Sequence, residues 1–406
     1  MKIIDGGVTA PKGFEAAGIM AGIKKEKKDM AMIYSATPCE SAGVFTKNLV
    51  KAAPVKWDRQ VVEGGAKCHA VVINSGVANA CTGELGLGYC RDTALETARV
   101  LNIPAEGVLV ASTGVIGKQL PMDKLLPGID LLAKNLGSSR RNALLSAEAI
   151  MTTDTVPKEY AVAVEIGGQT VTIGGMCKGS GMIHPDMCTM LCFITTDANI
   201  SKEMLCKVLS TDVEDTFNMI SVDGDTSTND TVLVLANGAS GGPQIKAEGA
   251  DYQAFYAGFH QVMEELSKKI AGDGEGATAL FEVKVIGAAT KEQAKIISKS
   301  VVTSSLTKAA VFGHDANWGR ILCAMGYAGA DFDPEVVDIW FESRDGKLQI
   351  VKDGTATDYS EEEATKILSA PEVTAIADLK AGRETATAWG CDLTYDYVKI
   401  NADYRS

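Results

Sequence analysis

Short apolar runs rich in β-branched residues alternate along this chain with amphipathic helical stretches, and the strand-like runs tend to fall in pairs. Strict βαβ alternation would build a parallel, doubly wound sheet, whereas paired strands call for antiparallel neighbours and layered sheets. The expected fold class is therefore α+β. Strands are predicted over Met30–Tyr34, His69–Asn74, Val108–Ser112, Tyr160–Glu165, Thr170–Gly174, Met190–Thr195 and Thr231–Ala236. Later ones are Phe281–Ile286, Val336–Phe341, Leu348–Lys352 and the long run Thr385–Ile400. Helical spacing covers Gly88–Leu101, Lys202–Phe217, Tyr252–Ala271, Lys291–Lys308 and Trp318–Ala328, and capping boxes stand at Thr290/Gln293 and Ser360/Glu363. At 406 residues the chain has room for about two or three domains. Gly-rich loops at Gly238–Pro243 and Ala271–Gly276 suggest a larger N-terminal domain, 1–275, and a smaller C-terminal α/β domain, 276–406.

Charge excludes several function classes. Lys and Arg number 39 against 52 Asp and Glu, a net of −13, which provides no electrostatic footprint for nucleic acid or an anionic membrane. No apolar run approaches the length of a membrane span, and Asp5 interrupts the N-terminus before a signal-peptide core could form. The ten cysteines are then expected to be reduced thiols, mostly packed as small hydrophobes in a cytoplasmic protein.

Three motif matches fail on context. Gly238–Gly242 (GASGG) fits a G-x-S-x-G nucleophile elbow, but that turn needs a helix directly after the serine, and Gly241-Gly242-Pro243 follows instead. His184, Cys188 and Cys192, with Cys177 upstream, have zinc-like spacing only on a helix, whereas Pro185 and the strand-like run TMLCFITT break it. Lys178-Gly179-Ser180-Gly181 lacks the upstream glycine of a phosphate loop. This stretch is therefore expected to hold neither zinc nor a phosphate loop. In the same stretch, Met176–Cys192 (MCKGSGMIHPDMCTMLC), a Gly-rich turn leads through a Pro-containing loop to Thr189 at the start of an apolar strand. A threonine hydroxyl needs an adjacent base to act as a nucleophile. Cutting the chain just before it would supply one, because an α-amine titrates near ~8.

The run KGSGMIHPDMCTML resembles the signature of the ornithine acetyltransferase family, the glutamate N-acetyltransferases of arginine biosynthesis. Further matching segments follow the same order: AGVFTKN (Ala42–Asn48), NSGVANACTG (Asn74–Gly83), STGVIG (Ser112–Gly117), MTTDT (Met151–Thr155), SVDGDTSTNDT (Ser221–Thr231), GEGAT (Gly274–Thr278), HDANWGR (His314–Arg320) and the terminal NADYRS. The resemblance implies a layered α/β sandwich (αββα-like) for the nucleophile-bearing domain. It also implies self-cleavage between Cys188 and Thr189, giving an α chain 1–188 and a β chain 189–406 assembled as α2β2. Thr189 would then carry acetyl from N-acetylornithine to glutamate, and the resemblance leaves open whether acetyl-CoA is also a donor.

By the same resemblance Thr113 and Gly114 form the oxyanion hole, through a hydroxyl and a backbone N–H. Thr152, Lys178, Thr189, Glu275, Asn401 and Ser406 contact substrate. His69, His184 and His260 receive no catalytic role, and HDANWGR reads as structural, since Trp is mostly a packing residue. Cys188 stands where the family usually has alanine, Val77 where a polar residue is commoner, and His314 and Ala316 replace a more usual Arg and Pro. A self-processing amidase or aminopeptidase, with water in place of the acceptor amine, is the rival enzyme. An acidic scaffold is the non-enzymatic alternative.

Overall fold

The computed structural model describes residues 1–184 and 190–403. Two compact units account for them: residues 1–179, 190–217 and 226–266 form the first, and residues 180–184, 218–225 and 267–403 the second. The expected boundary at 275/276 thus falls inside the second unit, which also takes two short segments from far upstream. The helix Ala250–Gly272 carries the chain from the first unit to the second.

The first unit is built on a nine-stranded sheet. Along it run Lys2–Ile4, Lys158–Ile166, Gln169–Lys178, Leu191–Thr196, Thr231–Ala236, Met30–Phe45, Cys68–Val77 and Val108–Val115, with Phe14–Ile19 pairing alongside Met30–Phe45. The 16-residue strand Met30–Phe45 belongs to both halves of this sheet. Its C-terminal part pairs with Thr231–Ala236 and its N-terminal part with Phe14–Ile19 and Cys68–Val77. One core cluster is filled from both halves: Met176, Leu191, Phe193, Leu233 and Leu235 from one, Ala31, Ile33, Val71, Ile73 and Leu109 from the other. Because side chains alternate along a strand, the opposite faces need their own cover. Met122–Lys134 supplies Leu125, Ile129 and Leu132 against Met30, Met32 and Val72 on one outer face. On the other, Gly258 of Ala250–Gly272 comes so close to Val164 that a Cβ there would lie 2.7 Å from it. The layers are therefore helix, sheet, sheet, helix, the expected sandwich.

The second unit has a seven-stranded mixed sheet, in the order Thr355–Ala356, Gly346–Lys352, Asp338–Ser343, Glu372–Asp378, Leu280–Ala288, Glu384–Cys391 and Ile220–Ser221. Lys291–Thr303 buries Ala294, Ile297, Val301 and Val302, and Val302 reaches the strand at Gly390.

Two long predictions needed correction. The run Thr385–Ile400 is not one strand. Pairing stops at Cys391, and Thr394 caps a new helix, Tyr395–Ala402, by accepting the Tyr397 N–H at 3.3 Å. Lys291–Lys308 is likewise two helices, because the Ser304 hydroxyl accepts the Thr307 N–H and opens Ser305–Phe312. Among the described residues, no helix is long and apolar enough to cross a membrane.

Candidate active site

Thr113 and Gly114 lie at the end of Val108–Val115, which runs parallel to Cys68–Val77 with Ser75 opposite Thr113 and Gly76 opposite Gly114. The register slips at Gly76/Val77, so the ladder is irregular at this point. Gly114 has φ +131° and Gly76 φ +106°. A Cβ on Gly114 would lie 2.3 Å from the Gly76 carbonyl carbon, so only glycine allows the two backbones to approach this closely. Buried amides fix the turn. Asn74 accepts the Ser112 hydroxyl at 2.6 Å and donates to the Val77 carbonyl at 2.9 Å. Asn229, from the NDT motif, donates to the carbonyls of Ala78 (2.6 Å) and Ser112 (2.8 Å). Both residues of the expected oxyanion pair are half-buried at this junction.

Thr152 and Lys178 meet through a residue the sequence reading did not single out. Asp154 is buried, and one carboxylate oxygen accepts the Thr152 N–H at 3.0 Å. Its other oxygen accepts Lys158 Nζ at 2.7 Å and the Gly179 N–H at 2.7 Å. Lys178 Nζ stands 3.9 Å from the carboxylate. Burial alone would push the Asp154 carboxyl up. The positive charges of Lys178 and Lys158, with hydrogen bonds from Lys158 and Gly179, outweigh that and hold it well below the usual carboxylate range. Lys158 is only 1 % exposed, so this ion pair sits in the interior.

In the second unit, Glu275 is buried and accepts Asn401 Nδ2 at 2.8 Å. The Glu275 N–H donates to the Ser180 carbonyl at 2.8 Å. The Glu275 carboxylate lies directly over Gly181, where a Cβ would come within 2.3 Å of it. Asp223 holds the same Gly-rich stretch, accepting the N–H groups of Met182 (2.6 Å) and Ile183 (2.8 Å) and the Tyr397 hydroxyl (3.2 Å). The structure thus brings Glu275 together with Asn401 in one unit, and Thr152 with Lys178 in the other. Cys188, Thr189 and Ser406 lie outside the described residues.

The remaining sequence features resolve simply. The GASGG run is a turn, with the Gly241 N–H donating to the Gly238 carbonyl and the next helix beginning only at Ala250. Asn317 of HDANWGR caps Trp318–Gly326, accepting the Arg320 N–H at 3.3 Å. His69 Nδ1 faces the Ser35 carbonyl and His184 Nδ1 the Ser221 hydroxyl. His260 pairs with buried Asp212 at 2.6 Å.

Fold and site together define an α+β sandwich in which strand ends present a tight glycine turn and a buried lysine–aspartate cluster. This chain belongs to the ArgJ family, whose model matches residues 15–406. It is 54% identical over 409 residues to the arginine biosynthesis bifunctional protein ArgJ of Symbiobacterium thermophilum, covering 100% of both chains. To the protein of the same name from Thermotoga neapolitana it is 50% identical over 397 residues, covering 98% of this chain and 99% of the relative. Among solved structures, the crystal structure of ArgJ from Bacillus halodurans aligns with a TM-score of 0.51 and 48% identity, covering 53% of this chain and 99% of that one.

Proposed function

We propose that the protein is an acyltransferase of arginine biosynthesis that moves acetyl from N-acetylornithine to glutamate through an acetyl ester on Thr189. The observation that carries the reading is the Gly76–Gly114 junction. It brings two backbones into close approach at the segment where the family resemblance puts the oxyanion hole. The precursor would cut itself first: the Thr189 hydroxyl attacks the Cys188 carbonyl, the peptide bond becomes an ester, and water releases residues 1–188 from 189–406. The share of this chain matched by the Bacillus halodurans crystal chain, 53%, supports that division, because residues 189–406 are 218 of the 406.

In turnover the new α-amine takes the hydroxyl proton while Thr189 Oγ attacks the acetyl carbonyl. The oxyanion is met by the Thr113 hydroxyl and the Gly114 N–H, and ornithine leaves with the proton. The glutamate amine then attacks the acetyl ester, N-acetylglutamate departs and the Thr189 hydroxyl is restored. This is a ping-pong exchange of two amino acids at one nucleophile. Loss of one oxyanion donor typically costs ~2.7–4 kcal/mol of barrier. Lys178 suits a substrate carboxylate, and Thr152, held by its N–H on the same Asp154, is assigned a substrate contact by the resemblance. Glu275 and Asn401 in the second unit, and Ser406, are assigned substrate contacts by the same resemblance. No metal or prosthetic group enters this chemistry. An α2β2 assembly and a cytoplasmic location belong to the same proposal.

The word bifunctional in the relatives' names favours acetyl-CoA as a second donor to the same threonine. Intact mass under denaturing conditions tests the processing step: two chains are expected, and a single chain for Thr189→Ala. Acetyl-transfer assays with N-acetylornithine or acetyl-CoA as sole donor then separate the activities. If Thr189→Ala still splits, the nucleophile is misassigned. Ornithine release that proceeds equally without glutamate would instead make the protein an amidase.

A further inference from the structure

The strands Gln169–Lys178 and Leu191–Thr196 are antiparallel neighbours, paired up to Lys178/Leu191. About two to five residues suffice to join such a pair. Here residues 179–190 intervene, and the part 180–184 belongs to the second unit. The stretch preceding the expected cut therefore takes its contacts from that unit.

Ile183 is buried and gripped at both of its backbone groups. Its N–H donates to one Asp223 carboxylate oxygen at 2.8 Å, and its carbonyl accepts the Val222 N–H at 2.7 Å. The other Asp223 oxygen accepts the Met182 N–H at 2.6 Å. The Asp225 N–H (3.3 Å) and the Tyr397 hydroxyl (3.2 Å) are bonded to the same carboxylate. Buried Lys308 donates from Nζ to the Val222 carbonyl at 2.7 Å, so the residue before Asp223 is fixed as well. The backbone that Asp223 holds is strained. Met182 has φ +55°, in the left-handed region that residues other than glycine avoid. The residue is 43 % exposed, and the bonds that fix its turn are those to Asp223.

Asp223 belongs to the run SVDGDTSTNDT, Ser221–Thr231. The same run supplies the Thr231 N–H, which donates to the Met190 carbonyl at 2.9 Å, and Asn229, which braces the chain beside Gly114. One motif thus holds Ile183 before the expected cut and Met190 after it.

We propose that Asp223 is a positioning residue for self-cleavage: it fixes the turn at Met182–Ile183 and so limits the conformations open to the chain leading into the Cys188–Thr189 bond. The inference rests on the self-processing reading above. In that step the Thr189 hydroxyl oxygen adds to the Cys188 carbonyl carbon, the C–N bond breaks and the hydroxyl proton passes to the freed amine. Water then cleaves the ester, giving the Cys188 carboxylate and restoring the hydroxyl. Asp223 makes and breaks no bond in this sequence. It contributes orientation, where a displacement of about 1 Å can cost about 10²-fold in rate.

The test follows the full-length chain from cell-free synthesis, reading the split fraction over time by denaturing gel and intact mass. Asp223→Asn presents one oxygen in place of two, so one of the two N–H groups loses its acceptor and splitting should slow at least about tenfold. Met182→Val puts a β-branched side chain at φ +55° on a half-exposed residue and should slow splitting likewise. Met182→Gly takes that conformation freely and should split at the wild-type rate or faster. Melting temperatures in the Thr189→Ala background, where the chain is expected to stay whole, show whether each variant folds. If Asp223→Asn does not fold, the two Met182 variants decide. A wild-type rate for a folded Asp223→Asn, or for Met182→Val, overturns the proposal. If the wild type itself stays one chain, the self-processing reading falls; if it splits and these variants split at its rate, only the Asp223 assignment does.

Discussion

Replacing Asp154 by Asn keeps the shape of the side chain and removes its charge. Three bonds are affected: to Lys158 Nζ at 2.7 Å, to the Gly179 N–H at 2.7 Å and to the Thr152 N–H at 3.0 Å. The amide can present only one oxygen, so its NH2 group confronts either the Thr152 N–H or the Lys158 and Gly179 donors. Breaking a buried ion pair by removing one partner costs about 3–5 kcal/mol. At about 2–4 °C per kcal/mol for a unit of roughly 250 residues, calorimetry should show the first transition falling by roughly 6–20 °C. The double variant Asp154→Asn/Lys158→Met removes both charges and should be less destabilised than the sum of the single changes by at least about 1 kcal/mol. Its activity should remain low, because either Thr152 or Gly179 loses its acceptor. The pH dependence has a fixed sign. A carboxyl held below its usual range contributes stability above its unfolded pKa near ~3.9 and loses it as pH falls further, so wild type and Asp154→Asn should converge only below about pH 4. A shift under about 2 °C at neutral pH, or strict additivity in the double variant, would refute the view that this ion pair holds the site together.

Other outcomes follow from the same geometry. Gly114→Ala places a Cβ 2.3 Å from the Gly76 backbone at φ +131°, so the turn must open, and acetyl transfer should fall by about 10²-fold or more in a steady-state assay. The His260 imidazole, raised to about 10 by hydrogen bonds to Asp212 and Glu264, contributes stability that is complete below its unfolded pKa near ~6.5 and is lost as pH climbs to about 10. The melting-temperature difference between wild type and His260→Ala should therefore shrink between those values. A difference that grows with pH would contradict the pairing.

The core of the fold was legible where burial imposes continuous apolar runs. Thr231–Ala236, buried at every position between two neighbouring strands, has the bounds read from sequence. Phe14–Ile19 was not legible, because FEAAGI has little β preference; Gly18 is there because a Cβ would lie 1.9 Å from the Leu145 carbonyl oxygen. The end of Glu384–Cys391 was hidden for a tertiary reason. Asp392 accepts the N–H groups of Thr278 and Ala279, from the far side of the unit's sequence, and that contact turns the chain. Within the candidate site, Thr113, Gly114, Thr152, Lys178, Glu275 and Asn401 could be named from motifs. Asp154 could not be assigned a part in the same way. Asp154 sits inside a quoted motif with Lys158 four residues on, a spacing that signals a pair only on a helix, whereas here the two flank a turn.

The strands Gln169–Lys178 and Leu191–Thr196 are hydrogen-bonded neighbours in the middle of the nine-stranded sheet, paired from Ile173/Thr196 to Lys178/Leu191. A cut between residues 188 and 189 falls in the connection that joins them. Before the cut, these strands are tethered by a short covalent link, and their pairing is an intramolecular event with a small closure entropy. Afterwards the same sheet would be an interface between two polypeptides, and unfolding would release two independent molecules. Stability of the mature protein would then depend on its concentration, and refolding would become a second-order search between fragments. Such a protein folds once as a single chain and thereafter keeps its shape as a complex, so its working lifetime is governed by how slowly that central pair of strands comes apart.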